Sequence, residues 1–186
     1  MEFVQRKLAG MYDVCFNRLD DHRGYMMRTF DADIFQEKGL AIKMLQHSLS
    51  YTERRNTVRG LHAQETDYSE AKLLIPLTGK MYWVSVDLRK DSPTFAQWDY
   101  TILEPEKKQA LYVPRGFAHG CLSLSEQVLM HLITDNRFSV EHGMGIQWND
   151  PQLGVEWPLF DEPVIISAEH QANPSFAHFL AKYGGL

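Results

Sequence analysis

The sequence predicts an all-β fold, either a sandwich or a barrel, built from many short strands. Segments rich in strand-forming residues recur along the chain, and turn residues separate them at intervals of roughly 8 to 12 residues. In the segment 81–88 the side chains alternate between two faces, with Tyr82 and Val84 on one and Trp83 and Ser85 on the other. This period of two is the repeat of a β-strand.

The segment 72–103 predicts three strands joined by two turns. Thr78-Gly79 marks the first turn and Asp91-Ser92-Pro93 marks the second, because glycine and proline favour turn conformations. The segment 41–52 is rich in strand-forming residues, and the segments 109–125 and 126–138 predict two more strands around turns. Together these segments account for most of the predicted sheet structure.

Two short helices are predicted to flank the strands. In the segment 31–40, Asp31 can cap the helix N-terminus and Gly39 can end the helix. In the segment 174–183, large apolar side chains fall on one helical face, and Gly184-Gly185 would stop the helix. The side chains on that face are Phe176, Phe179, Leu180 and Tyr183.

The composition is that of an ordinary globular protein and argues against several classes of function. The 186 residues suit one domain spanning 1–186, and a net charge of -5 without a Lys/Arg run argues against a nucleic-acid partner. Cys15 and Cys121 are too few for a disulfide scaffold. The sequence shows neither a signal peptide nor an apolar run of about 18 residues, so we expect a cytoplasmic protein without a membrane partner.

Two segments place a histidine after a glycine in a strand-and-turn setting. VRGLHAQ (58–64) contains His62, and VPRGFAHG (113–120) contains His119. Metal-binding β-barrels carry two closely spaced histidines at such a place, but here the second position is Gln64. The carboxylates nearby do not complete a ligand set, so we predict no metal.

These segments, together with others in the same order, resemble the dTDP-4-dehydrorhamnose 3,5-epimerase family of cupin-fold sugar-nucleotide epimerases. The resemblance spans 21–158 and is carried by DHRG (21–24), RGLH (59–62), AKL (71–73), VDLRKDSPTF (86–95), VPRGFAHG (113–120), WNDP (148–151) and Trp157-Pro158. It implies a cupin jelly roll, or double-stranded β-helix, with short flanking helices. It also implies a homodimer without a metal or another cofactor.

The resemblance implies proton transfer next to a ketone. The substrate would be a 4-keto-6-deoxyhexose linked to a nucleotide diphosphate, either dTDP or CDP. Such a carbon acid needs a base on one face, a cation or donor at the enolate oxygen, and an acid on the opposite face. By this resemblance His62 is the base, and Lys72 stabilises the enolate at the C4 oxygen.

The resemblance also implies four substrate-binding residues. Arg23 would pair with the diphosphate, because a guanidinium group matches phosphate oxygens. Arg59 would hold the sugar near the phosphates, and His119 would donate a hydrogen bond to the sugar. Gln46 stands at a position that contacts the sugar or the nucleotide.

The chain departs from the family at the position of the acid. The family has a tyrosine there, in a strand pattern like Leu-Tyr-Lys-x-Thr-Asp, and anchoring on Thr134-Asp135 places His131 at that position. His131 shares a strand face with Leu129 and Ile133, so we expect it to point into the barrel. His131 is therefore the predicted acid.

A second departure lies near the C-terminus. The family has a Ser-x-x-Asp stretch whose aspartate orients the catalytic histidine. Here Ser167 is in register and His170 occupies the aspartate position. A base without a carboxylate partner is less basic and less firmly oriented. His170 is thus a possible dyad residue that lacks the expected carboxylate group.

Each of these residues also has a structural alternative. His62, His119 and His131 could be hydrogen-bonded wall or core histidines, and Lys72 and Arg59 could be solvated strand charges. Asp87 and Arg89 also match the family, but strand-end and turn chemistry accounts for them, so they are assigned a structural role.

The departures fall on substrate-facing positions, whereas the framework motifs are kept. The leading prediction is an epimerase that inverts C5, C3 or both in deoxysugar biosynthesis, for a surface polysaccharide or a glycosylated metabolite. The alternatives are a C5-only epimerase of a CDP-linked 3,6-dideoxy-4-keto sugar, a 3,4-ketoisomerase, and a non-catalytic sugar-nucleotide-binding homologue.

Overall fold

The computed structural model describes residues 1–40 and 43–186, and antiparallel strands dominate the fold. In chain order the strands are β1 (Glu2–Gln5), β2 (Tyr12–Cys15), β3 (Arg18–Asp21), β4 (Gly24–Met27), β5 (Gln46–Thr52), β6 (Val58–Gln64), β7 (Lys72–Thr78), β8 (Met81–Asp87), β9 (Trp98–Leu103), β10 (Gln109–Val113), β11 (Phe117–Ser123), β12 (Val128–Thr134) and β13 (Gly143–Gly145). The helices are α1 (Ala32–Glu37), α2 (Ala168–Gln171) and α3 (Phe176–Tyr183). Within the described ranges, no helix has the length and apolar character needed to cross a membrane.

Two antiparallel sheets face each other and form a jelly roll. One sheet has the strand order β1-β2-β10-β7-β12-β5, and the other has the order β13-β6-β11-β8-β9. Strands β3 and β4 form a separate hairpin. From β5 to β8 and again from β9 to β12 the chain alternates between the two sheets. The predicted all-β jelly roll with short flanking helices is therefore confirmed.

The space between the sheets is filled by one apolar cluster. The six-stranded sheet contributes Leu74, Leu111 and Met130, and the five-stranded sheet contributes Trp83 and Phe117. Their burial removes apolar surface from water and stabilises the contact between the sheets. The predicted alternation of β8 is confirmed, because its other side chains pack on the outer face of the sheet.

The outer faces of both sheets are covered by segments near the chain ends. Phe176 and Phe179 of α3 pack with Val84 outside the five-stranded sheet. Phe35 of α1 packs with Ile75 outside the six-stranded sheet. Docking of α3 fixes the C-terminal segment against the barrel, and this segment also carries α2.

The predicted strands and helices are present with shorter bounds, but the segment 109–125, predicted as one strand with turns, forms the two strands β10 and β11. The strand predicted within 41–52 is Gln46–Thr52, and positions 41 and 42 lie outside the described residues. Helix α1 follows Asp31, but the carboxylate of Asp31 accepts a hydrogen bond from Arg28 at 2.8 Å and does not cap the helix. Gly39, with φ of +73°, follows the end of the helix as expected.

A buried carboxylate network closes the turn after β8. Asp87 is fully buried and accepts a hydrogen bond from the Arg89 guanidinium group at 2.7 Å. It also accepts hydrogen bonds from Ser92 Oγ and Thr94 Oγ1, both at 2.6 Å. Burial alone would raise the pKa of Asp87, but the hydrogen bonds from Arg89, Ser92 and Thr94 lower this pKa below its ordinary value. The network fits the structural role expected for Asp87 and Arg89.

We expect Asp87→Asn to lower the free energy of unfolding by about 3 kcal/mol at neutral pH, because Arg89 loses its charged partner. A carboxyl group whose pKa is lowered by folding stabilises the fold above its unfolded pKa. This contribution is lost as the pH falls through the folded pKa. The deficit of the variant should therefore shrink in acid. Urea unfolding at neutral and acidic pH measures the free energy of unfolding of the wild type and the variant. Asp91→Asn, in the exposed turn, is the control. An equal loss of stability at both pH values would contradict the role assigned to the Asp87 carboxylate.

Candidate active site

A cavity of about 290 Å³ lies between the two sheets at one end of the barrel. Its walls are formed by the end of β6, the starts of β7 and β11, residues from 138–145 and residues from 169–173. This volume is close to the lower limit for small-molecule sites. The candidate site is therefore the place where three strands and the C-terminal segment meet.

Two histidines lie side by side on neighbouring strands inside this cavity. His62 of β6 pairs with His119 of β11 in the antiparallel register, and both side chains line the cavity. The strands come very close beside this pair, since a Cβ atom at Gly60 would lie 2.3 Å from the carbonyl oxygen of His119. Gly60 also has φ of +96°, a conformation that favours glycine. Glycine at position 60 thus permits the approach that brings His62 beside His119.

Lys72 and Glu70 add an ion pair to the cavity wall. Lys72 is the first residue of β7, and its ammonium group contacts the Glu70 carboxylate. The two side chains are nearly buried, with exposed fractions of 13 % for Lys72 and 10 % for Glu70. An ammonium group has three N–H donors, so two remain for a ligand. Lys72 thus presents a positive charge near both histidines.

His170 takes the place expected for an orienting carboxylate. Its ring stacks on His62, with ring centroids 5.6 Å apart and an angle of 20° between the planes. Its Nδ1 accepts a hydrogen bond from the Gly60 N–H group at 3.4 Å. Ser167 caps α2 by accepting a hydrogen bond from the His170 N–H group. His170 therefore contacts His62 by stacking and does not supply the carboxylate of a dyad.

His62 is held in its neutral form. Burial within the barrel lowers the pKa of His62, and the nearby Lys72, His170 and Arg59 lower it further, to about 3. Solvent reaches the ring through the cavity mouth, which weakens the effect of burial. The shift stays downward because three basic side chains surround the ring. A neutral imidazole can accept a proton, so His62 has the state that a base requires.

His119 is also held neutral, and its two ring nitrogens are in different surroundings. Burial lowers the pKa of His119 well below its ordinary value, and Lys72 and His62 add to this effect. His119 Nδ1 accepts a hydrogen bond from the Trp83 indole at 3.4 Å. Its Nε2 is buried and has no hydrogen-bond partner within the described parts of the chain.

Three predicted substrate-binding residues stand outside the described wall of this cavity. Arg23 lies on the exposed turn of the β3–β4 hairpin and pairs with a neighbouring aspartate. The guanidinium group of Arg59 donates hydrogen bonds to β5. Gln46 accepts a hydrogen bond from the Phe138 N–H group at 2.7 Å and so supports the cavity loop. Their contacts with a substrate stay predictions.

His131 does not point into the barrel, and its predicted orientation is wrong. The inward side chains of β12 include Val128, Met130 and Leu132, which join the apolar cluster between the sheets. His131 alternates with them and pairs with Ile75, whose side chain lies outside the six-stranded sheet. The His131 ring contacts His47 of β5, with centroids 5.3 Å apart. Both faces of this sheet are apolar, so alternation alone did not identify the inner face.

Gln64 fastens the cavity wall, a role that was not predicted. Its side-chain amide donates a hydrogen bond to the Tyr68 carbonyl at 2.9 Å and accepts one from the Ser139 N–H group at 2.6 Å. These bonds hold the loop after β12 against the end of β6. Across the described residues, no group of three or more His, Cys, Asp and Glu side chains is arranged to hold a metal.

Asn173 anchors the segment that carries His170. Its Nδ2 donates hydrogen bonds to the carbonyl groups of Leu61 at 3.3 Å and Ile146 at 3.4 Å. Gly145 leaves room for this side chain, since a Cβ atom at position 145 would lie 2.0 Å from Asn173 Oδ1. No local pattern predicts this role, because Leu61 is 112 residues away in sequence. The wall also contains Glu70 and Glu169, two carboxylates near predicted site residues that were left out of the predicted set.

The fold and the cavity together define a class of protein. A jelly roll that presents a neutral histidine, a buried donor histidine and an ammonium group in one cavity is suited to proton transfer on a small molecule. The class is therefore a cupin-type enzyme that uses acid–base chemistry.

Comparison with known proteins identifies the family. The sequence matches the family profile described as dTDP-4-dehydrorhamnose 3,5-epimerase over residues 5–178, and the chain belongs to this family. The predicted class of enzyme, an isomerase of the carbohydrate-epimerase type, is confirmed.

Relatives and solved structures agree with this assignment. A protein of Methanothermobacter thermautotrophicus, named dTDP-4-dehydrorhamnose 3,5-epimerase, is 35 % identical over 171 residues, which cover 92 % of this chain and 91 % of that protein. The crystal structure of the enzyme of that name from Elizabethkingia anophelis has a TM-score of 0.91 at 33 % identity and covers 96 % of this chain and 97 % of that chain. The dTDP-6-deoxy-D-glucose-3,5-epimerase of Legionella pneumophila, in complex with dTDP-4-keto-L-rhamnose, has a TM-score of 0.90 at 29 % identity, with coverages of 97 % and 95 %.

Proposed function

We propose that the chain is an epimerase for a dTDP-linked 4-keto-6-deoxyhexose and acts in deoxysugar biosynthesis. This proposal rests on one observation, which is that the side chains of His62, Lys72 and His119 line the same cavity. A neutral imidazole can accept a proton from carbon, and a cation beside a buried donor can stabilise the enolate that forms. These are the requirements for exchanging a proton next to a ketone.

In the proposed reaction, His62 removes the proton from the carbon next to the C4 ketone. The electron pair of the broken C–H bond forms the enolate, and negative charge develops on the C4 oxygen. Lys72 and His119 stabilise this oxygen through the N–H groups that the protein leaves free. A proton returned to the opposite face of the carbon completes the inversion.

We place the source of the second proton on the cavity wall and not on β12. The inward side chains Val128, Met130 and Leu132 cannot donate a proton. Neither a residue of β12 nor a tyrosine is among the described residues that line the cavity. The wall residues other than His62 that carry N–H donors suited to this step are Lys72 and His170, because the neutral His119 keeps its proton as a hydrogen-bond donor. These two side chains replace His131 as candidates for the acid.

The family and its relatives favour dTDP over CDP as the nucleotide. The Methanothermobacter protein carries a dTDP-sugar epimerase name, and the Legionella enzyme holds a dTDP-linked keto sugar. A CDP-linked 3,6-dideoxy-4-keto sugar is the alternative substrate. Because C3 of such a sugar carries no hydroxyl group, C5 is the carbon next to the ketone that could be inverted.

Deuterium exchange tests the proposed function. The protein is incubated in deuterated water with dTDP- and CDP-linked 4-keto-6-deoxy sugars and followed by NMR. Deuterium at C5, at C3 or at both identifies the reacting carbon, and a change of configuration identifies net inversion. Movement of the ketone to C3 would identify a ketoisomerase, and binding without exchange would identify a non-catalytic binder. The epimerase proposal fails if no sugar in this panel exchanges.

The lowered pKa of His62 gives a prediction about pH. A base acts in its neutral form, and a lowered pKa keeps that form populated as the pH falls. With the ordinary pKa of roughly 6.5, kcat/KM would fall about tenfold between pH 7.5 and 5.5. We expect a fall of less than about twofold for this protein. Exchange rates at low substrate concentration measure kcat/KM at both pH values, and circular dichroism confirms that the protein stays folded. A tenfold fall in kcat/KM while the protein is folded would contradict the prediction.

We also infer a homodimer. Large apolar side chains stand exposed on the β3–β4 hairpin and on the edge strand β5, namely Leu19, Tyr25, Met26, Leu49 and Tyr51. Exposed apolar groups of this kind are typical of protein–protein contacts, and the family resemblance implies a dimer. Light scattering coupled to size-exclusion chromatography tests this inference, and a monomeric mass at micromolar concentration would refute it.

A further inference from the structure

We propose that Trp83 fixes His119 as a neutral imidazole with its proton on Nε2, which makes His119 a permanent hydrogen-bond donor to the ketone oxygen of the substrate. This inference rests on the proposed epimerase function and adds a positioning residue to it. Trp83 acts through His119, because it is not among the residues that line the cavity.

The contact between Trp83 and His119 determines the tautomer. The two residues lie on the neighbouring strands β8 and β11, and the indole Nε1–H group donates to His119 Nδ1 at 3.4 Å. The exposed fractions are 6 % for Trp83 and 1 % for His119, so water does not compete for this bond. An indole nitrogen donates and cannot accept. Nδ1 is therefore the unprotonated nitrogen, and the neutral ring carries its proton on Nε2.

The other nitrogen of His119 is left for a ligand. Nε2 is buried and, among the described residues, has no hydrogen-bond partner. A buried donor without a partner is unfavourable, so its presence indicates a partner that the protein itself does not supply. Since His119 lines the cavity, a ligand in the cavity is the partner that fits.

The surroundings of His119 oppose a positive charge on its ring. Lys72 from β7 and His62 from β6 face the ring, and both lower the pKa of His119 in addition to burial. Protonation of Nδ1 would also set two donors against each other at the Trp83 contact. His119 thus acts as a neutral donor to the enolate oxygen, a known use of histidine in enzymes that deprotonate carbon next to a carbonyl group.

Nitrogen-15 NMR of histidine-labelled protein tests the tautomer directly. In the wild type we expect a protonated Nε2 and an unprotonated Nδ1 throughout the range from neutral to mildly acidic pH. In Trp83→Phe, which keeps an aromatic ring but removes the donor, we expect a mixture of tautomers and protonation of His119 at higher pH. We expect kcat for exchange to fall about tenfold with little change in KM. In the variant, only part of the His119 population carries its proton on Nε2, so the hydrogen bond to the enolate oxygen is weakened but not lost.

Trp98→Phe in β9 is the matched control, because the Trp98 indole packs with the cluster outside the five-stranded sheet, whereas His119 lines the cavity. It should leave the His119 resonances and the exchange rate unchanged. A wild-type His119 with its proton on Nδ1 would overturn the proposal, whether or not Trp83→Phe folds. An unchanged tautomer in folded Trp83→Phe would also overturn it, because another group, such as the adjacent Ser85 hydroxyl, would then fix the ring. The NMR readout does not need turnover, so failure of the epimerase function is distinguishable from failure of this inference.

Discussion

Replacement of His62 by Asn should lower the rate of deuterium exchange on the sugar by about 10³-fold. Asparagine is close to histidine in size and polarity but cannot accept a proton from carbon. His62 lines the cavity, its lowered pKa keeps the ring neutral, and it is the base that we propose. NMR measurement of exchange at the carbon next to the ketone gives the rate, and binding of the sugar nucleotide, measured separately by calorimetry, should change much less.

Two control variants carry the same substitution at other histidines. His178→Asn changes an exposed position of α3 and should leave exchange unaffected. His131→Asn changes a ring on the outer face of the six-stranded sheet, so its effect should stay below about twofold. Persistent exchange in His62→Asn would remove His62 as the base. A loss in His131→Asn as large as that in His62→Asn would restore the sequence-based assignment of His131.

The parts of the site that lie on regular strands could be predicted from the sequence. His62 and His119 follow glycines in strand-and-turn segments, and Lys72 begins a strand with clear flanking turns. A period of two decides which side chains of a strand share a face. Once the sheets pair in register, these three positions necessarily come near one another.

Two kinds of information were not available from the sequence. Alternation groups side chains by face but does not say which face lies inside, and β12 has apolar residues on both, with Met130 inside and Ile133 outside. That ambiguity misplaced His131. The sequence also did not indicate contacts between residues far apart in the chain, such as Trp83 and His119, which are separated by 36 positions. Such contacts depend on tertiary packing, and no local propensity reports them.

The second large effect is expected for Lys72→Met, which should lower kcat for exchange by about 10²- to 10³-fold. Methionine keeps much of the side-chain length but removes the charge that, in the proposed reaction, stabilises the enolate. Glu70 then remains as a nearly buried carboxylate without its cation, and its negative charge opposes the developing charge on the C4 oxygen. The double variant Glu70→Gln/Lys72→Met removes this second effect and should recover part of the rate. Lys80→Met, at a surface ion pair, is the matched control and should keep full activity.

The same variant tests why His62 is neutral. After burial, Lys72 is the largest cause that lowers the pKa of His62, so its removal should move this pKa upward toward the ordinary value. Titration of the His62 ring by NMR in the wild type and in Lys72→Met measures the change without any turnover. A fall in kcat with an upward pKa shift would show that Lys72 acts on both the enolate and the base. If the titration of His62 is the same in both proteins, Lys72 does not keep the base neutral. Burial and the remaining neighbours, His170 and Arg59, would then have to account for the whole effect.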